Sequence, residues 1–191
     1  MAAASMVALE LAAHRWWPAG GRGAPVLEMD EGVESLDQLC SALASVKRQL
    51  DGCKLIVVRV SIPSGAELME AMSAAHGLRL PAHVCLAIDS GLLGMIVGPV
   101  RNVDRVGLML DGVNAATPLA HIANEALEAV RFDIDFAARA DSHLRSRCVL
   151  DALLHFTADI GLCTFGPAWR EDEQEGSIKQ FDYVATLPSR Q

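Results

Sequence analysis

Four charged side chains interrupt or end apolar runs in this chain: Arg59 in VVRVS (57–61), Asp111 directly after LML (108–110), and Arg131 with Asp133 in VRFDID (130–135). If such runs are parallel strands, their carboxyl ends converge on the edge that carries ligands and catalytic groups. Carboxylates at that edge hold hard cations, and guanidinium groups grip phosphate or carboxylate through a planar fork of donors. The same groups can pair with one another and cap the sheet as structural ion pairs. On residue types alone the two readings weigh the same.

Other chemistry is hard to find. The chain has no G-x-x-x-x-G-K-[ST] loop, no G-x-S-x-G elbow, no H-E-x-x-H and no G-x-G-x-x-G after a strand. GGRG (20–23) does not sit between a strand and a helix start, so loop flexibility explains it better than phosphate binding. The histidines at 14, 76, 83, 121, 143 and 155 are scattered, with no Cys or carboxylate at ligand spacing. Cysteines 40, 53, 85, 148 and 163 form no C-x-x-C pair. Their spread suits free thiols in a reducing cytosol, and so a cytoplasmic protein.

The elements that must position Arg59, Asp111 and Arg131 alternate along the chain. Strands are predicted at 7–11, 55–60, 84–88, 106–110, 129–134, 162–165 and 181–186. Helices are predicted at 33–51, 64–77 (with Ser64 as N-cap) and 141–159, with shorter helical pieces near 90–97 and 117–127. The helix at 33–51 turns Leu36, Leu39, Cys40, Leu43, Val46 and Leu50 inward. The one at 141–159 turns Leu144, Cys148, Val149, Ala152, Leu153 and Phe156 inward. A Gly- and Pro-rich loop is expected over 18–25, and the acidic run REDEQE (170–175) reads as a solvated loop or first helical turn. This alternation predicts βαβ units and a parallel sheet, either doubly wound or closed as a small (β/α) barrel.

Composition narrows the function classes. The 191 residues are 51% hydrophobic and 21% charged, with a formal net charge of −8. That balance excludes a disordered chain and argues against a protein that grips nucleic acid through bulk charge. The apolar stretch 91–100 has ten residues and falls short of the roughly 20 that a membrane span needs.

Taken in order, the segments resemble the EAL family, TIM-barrel phosphodiesterase domains that hydrolyse cyclic di-GMP. VGLMLDGVNAATPLAHIANEALEAVRFDIDF (106–136) is similar to the stretch from the family's DDFG motif to its K-I-D motif. The helix at 141–159 and IGL (160–162) continue it. LIVVRVS (55–61) resembles the strand ending in N-V-S, VCLAIDSGLL (84–93) the strand carrying E-x-T-E, and RWWPAGGRGAP (15–25) the R-W-x-H-P-x-x-G-x-x-P loop. The resemblance implies an α/β fold, a short or modified (β/α) TIM-like barrel of EAL type. It makes 1–191 a single domain, with the family's N-terminal segment expected to be missing.

The family holds divalent cations with Glu, Asn, Glu and Asp, assisted by a Lys and a further Glu. With the register set on Arg15 and Trp16, the first glutamate position holds Leu11, with Glu10 beside it facing the other way. The asparagine position holds Arg59 and the next glutamate position Ala87. Asp111 keeps the first aspartate of the DDFG-like pair, while Gly112 replaces the second. Arg131 stands at the lysine position, followed by a retained Asp133, and CTFGPAW (163–169) offers no late glutamate. The resemblance therefore implies a degenerate pocket with no metal, no other cofactor and no catalytic residue. Its expected contact is an ion pair of Asp111 with Arg59 or Arg131.

The expected function is a noncatalytic EAL-like regulator in bacterial signalling that acts on another protein, without nucleic acid or membrane. A cyclic di-GMP receptor that binds without cleaving is the alternative, through Arg15 (matched to a ligand-contacting arginine), Arg59 and Arg131. An active phosphodiesterase is the third reading. The family also implies that a homodimer can form, and a mean hydropathy of +0.26 points to an apolar patch needing cover.

Overall fold

The predicted alternation closes on itself. A computed structural model describes residues 13–18, 26–47, 50, 53–62, 64–93, 103–170 and 180–187, and there eight strands form a closed barrel in chain order. The strands are β1 (Ala13–Pro18), β2 (Val26–Val33), β3 (Leu55–Val60), β4 (His83–Asp89), β5 (Val106–Val113), β6 (Leu127–Phe132), β7 (Cys163–Arg170) and β8 (Tyr183–Leu187). From β2 to β8 every neighbouring pair is parallel, whereas β1 runs antiparallel to both β2 and β8 and closes the ring.

Strand parity builds two cores from nearly continuous apolar sequence. Val26, Val57, Cys85, Ala87, Met109, Ala129 and Phe165 point into the barrel and pack together there. Their chain neighbours, among them Leu27, Ile56, Val58, Leu86, Leu108 and Val130, face outward into the larger core shared with the helices. Those helices are α1 (Leu36–Val46), α2 (Gly65–Gly77), α3 (Ser90–Leu93), α4 (Leu119–Ile122), α5 (Ile134–Ser142) and α6 (Leu144–Asp159). The α1 face is the predicted one, with Leu39, Leu43 and Val46 buried. Ser64 caps α2 as expected, its Oγ accepting from the Glu67 N–H at 3.2 Å. No helix among the described residues is long and apolar enough to cross a membrane.

Several expectations change. Residues 15–18, read as the start of a loop, are strand β1. Pairing with β2 on one side and β8 on the other satisfies both edges of its backbone. Strand β2 was not predicted, and the strand expected at 7–11 lies outside the described residues. The strand expected at 129–134 ends at Phe132, because Asp133 turns the chain into α5, a helix that was also not predicted. That helix packs along α6. The face α6 buries is Leu150, Leu153 and Thr157, while Leu144, Cys148 and Val149, expected inside, are exposed.

Glycine is required where β7 meets the core. A Cβ on Gly166 would lie 2.6 Å from Cδ2 of Phe181, a buried ring 5.6 Å from Phe132 between centroids. Gly166→Ala must push that ring aside and is expected to cost about 1–3 kcal/mol in a urea melt, as overpacked cores do. A neutral result would show that Phe181 has room to move.

Candidate functional site

Five strands deliver charge toward the carboxyl-terminal mouth of the barrel. Glu28 comes from β2, Arg59 from β3, Asp89 from β4 beside Asp111 of β5, and Arg131 from β6; Asp89 Oδ1 accepts from the Gly91 N–H at 2.7 Å. Parity places Glu28 on the lumen side with Val26, because Leu27 and Met29 belong to the outer core. A register shift in the β5–β6 pairing falls between Leu110 and Val113. Gly112 sits in this irregularity at φ +77°, a left-handed conformation suited to glycine. Gly112 thus has a backbone role here.

Arg131 spans the lumen. Its Nε donates to Asp111 Oδ1 at 2.7 Å, its Nη2 donates to Asp111 Oδ2, and its Nη1 donates to Glu28 Oε1 on the far wall. Fork-on-carboxylate geometry with a second acid on the third nitrogen uses the guanidinium as a bridge. Arg131 and Glu28 are buried, at 5% and 4% exposure, and Asp111 is partly buried. Burial alone would lower the Arg131 pKa. The hydrogen bonds to Asp111 and the charges of Glu28 and Asp111 outweigh that and hold it above its ordinary value.

Arg59 lies over this bridge at the rim, with Nε 3.4 Å from both Glu28 Oε1 and Asp111 Oδ2 and its side chain 51% exposed. Both expected ion pairs of Asp111 are therefore present, and Glu28, which sequence reasoning missed, joins them. Ala87 lies buried in the barrel interior beneath, at 2% exposure. Asp133 takes no part: its carboxylate accepts from the Phe136 N–H at 2.8 Å and caps α5. Leu11 lies outside the described residues. Arg15 stands in β1 opposite Leu27, placed by backbone register.

Glu28 and Asp111 are matched in formal charge by Arg59 and Arg131. Ala87 offers no oxygen and Arg59 brings a positive charge, and Glu28 and Asp111 are both bonded to Arg131. Among the described residues no group of three or more His, Cys, Asp or Glu is arranged to hold a metal ion. Hard divalent cations need several oxygen ligands, so the residues present do not fit the metal centre that the EAL fold implies.

Two thiols are held by neighbouring elements of the barrel, Cys85 in its interior and Cys163 exposed at the start of β7. Cys85 is fully buried, and burial pushes its thiol pKa up, with Glu128 and Cys163 adding to the rise and Arg131 opposing it. Cys163 is raised as well, by burial first and then by Asp182 and Glu128. In the native protein iodoacetamide is expected to label exposed Cys148 well before Cys85, which reacts only on unfolding. An unfolded thiol ionises near its ordinary 9.0 while folded Cys85 stays protonated. This contribution to stability is thus intact below about pH 9 and declines as pH rises above it. Early labelling of Cys85 at pH 8, read by peptide mass, would contradict this.

No family model matches the chain, and no curated protein matches it significantly in sequence. Solved structures do match. The EAL domain of Mycobacterium smegmatis DcpA superposes with a TM-score of 0.64 at 14% identity, covering 92% of this chain and 87% of that one. The Pseudomonas aeruginosa FimX EAL domain bound to c-di-GMP gives 0.62 at 11% identity, over 92% and 87%. Klebsiella pneumoniae BlrP1, as a calcium and cyclic di-GMP complex, gives 0.69 at 8% identity, covering 93% of this chain and 54% of that chain. The present chain thus spans about half the length of BlrP1. Barrel and neighbours together define the class: this chain has the fold of an EAL domain.

Proposed function

We propose that this chain is a noncatalytic EAL-type regulatory domain of bacterial cyclic di-GMP signalling, acting in the cytoplasm through contacts with another protein. The observation that carries the reading is the bridge of Arg131 between Glu28 and Asp111. Metal-assisted hydrolysis needs a cation that lowers the pKa of a bound water and stabilises the displaced oxygen. Here the acids facing that space are bonded to a guanidinium, and an arginine, protonated at all ordinary pH values, is a poor proton-transfer group. Glu28 and Asp111 face that space as acids, whereas Arg59 and Ala87 bring no oxygen ligand to it.

Exposed apolar residues support contact with another chain, a second copy included. Ile134 at the start of α5 is 54% exposed and Leu144 at the start of α6 is 78% exposed.

A cyclic di-GMP receptor that does not hydrolyse is the second reading, favoured by one observation. Arg59 is half exposed at the rim, with contacts of 3.4 Å to Glu28 and Asp111, and is placed to turn toward a phosphate. The FimX and MucR structures are themselves c-di-GMP complexes.

The test is a product assay with Mg²⁺ or Mn²⁺, paired with calorimetry against cyclic di-GMP. The expected result is no linear dinucleotide and no heat of binding. Heat without product selects the receptor. Turnover that disappears in Asp111→Asn overturns the noncatalytic reading.

A further inference from the structure

We infer that Arg131 is a tethered resident cation: its guanidinium fills the space between Glu28 and Asp111 that a divalent ion would need. Glu28 and Asp111 are then neutralised without metal, and take up such an ion only once Arg131 is removed. The inference builds on the noncatalytic reading and adds what replaced the ion.

Three observations converge on it. First, the two carboxylates come from strands on different sides of the barrel, β2 and β5, yet both accept from one guanidinium on β6. A cation that draws acids from separate strands to one point plays the electrostatic part of a bound ion. Second, Glu28 is 4% exposed, and an ionised carboxylate so buried needs a counter-charge from within. Arg131 supplies one directly through Nη1, while half-exposed Arg59 stands 3.4 Å away. Third, Arg131 is itself 5% exposed and covalently fixed, so no change in solution ion concentration removes it.

Removing the guanidinium leaves two facing carboxylates beside a space the size of the lost group. Mg²⁺ and Mn²⁺ are bound in such settings by one or two carboxylates with waters completing the shell. The half-exposed Arg59 weakens such a site without filling it.

Mn²⁺ uptake read by electron paramagnetic resonance tests this without any turnover. Wild type is expected to take up no Mn²⁺ up to about 1 mM, the range of weak carboxylate sites. Arg131→Met is expected to bind at least about tenfold more strongly than wild type and to melt at higher temperature when Mn²⁺ is added. Arg131→Lys, which keeps a positive charge in place, is expected to behave as wild type. Should Arg131→Met fail to fold, Arg131→Gln, which keeps an amide donor toward the carboxylates, carries the same readings. One Mn²⁺ per chain in wild type, lost in Asp111→Asn, would overturn the inference, as would Arg131 variants that fold but take up none. Wild-type uptake without hydrolysis would leave the noncatalytic reading standing, whereas hydrolysis itself would remove that reading.

Discussion

Arg131→Met is expected to lower stability by about 3–5 kcal/mol, because it removes the buried guanidinium bonded to the buried Glu28 and to Asp111. Glu28 sits at 4% exposure and accepts from Arg131 Nη1, and Asp111 loses both bonds of its fork. Arg59→Met is expected to cost less than about 1 kcal/mol, since its side chain is 51% exposed and its ion-pair contacts to the two acids are 3.4 Å. Urea denaturation of the two variants separates these cases by midpoint. A further comparison fixes the cause. If the loss in Arg131→Met comes from an orphaned charge, then Glu28→Gln/Arg131→Met is more stable than Arg131→Met alone. If it comes from lost packing of the arginine stem, the double variant is less stable. Equal losses for the Arg59 and Arg131 variants would show that burial does not distinguish the two guanidinium groups.

The sequence carried most of this site for a simple reason: Arg59, Asp111 and Arg131 stand out as charges in β-branched and aliphatic runs. Runs of that kind are legible because both faces of a parallel strand are buried. Glu28 lacked that contrast. Its strand, VLEMDEGV, buries Val26 through Met29 and then carries Asp30 and Glu31, so half of it reads as a polar segment. The hairpin partner AHRWWP has the same difficulty, since Pro18 and the glycines after it favour a loop reading, while the pairing that makes it a strand is supplied by β2 and β8. The helix boundary at Asp133 was missed for a related reason. A lone aspartate after an apolar run fits a strand end as well as a cap, and only its bond from the Phe136 N–H decides. On α6, spacing alone could not choose between two apolar stripes. The buried stripe through Leu150 and Leu153 goes with the packing of α5, a helix that was itself not foreseen. Local periodicity therefore recovered the order of most elements. Which face each one buried, and which acid reached the lumen, depended on closure of the ring.

Phe165→Ala is expected to cost a further class of energy, about 3–5 kcal/mol from a cavity in the barrel interior. The ring is 1% exposed, stacks on Tyr183 with centroids 4.8 Å apart, and packs with Val57, Cys85, Ala87 and Met109. Its Cα partner across the β6–β7 pairing is Arg131, so the aromatic floor and the ion bridge are neighbours on adjacent strands. That adjacency makes a sharper demand than destabilisation. A cavity at 165 admits water or motion beneath Arg131, and the bridge is weaker wherever its surroundings are wetter. The milder pair Phe165→Leu and Arg131→Lys, which both retain bulk or charge, is therefore expected to show a coupling of about 0.5–3 kcal/mol in a double-mutant cycle, as residues in contact do. Strict additivity in urea melts would mean that the ring supports the barrel wall alone and that the charge cluster stands independently of it.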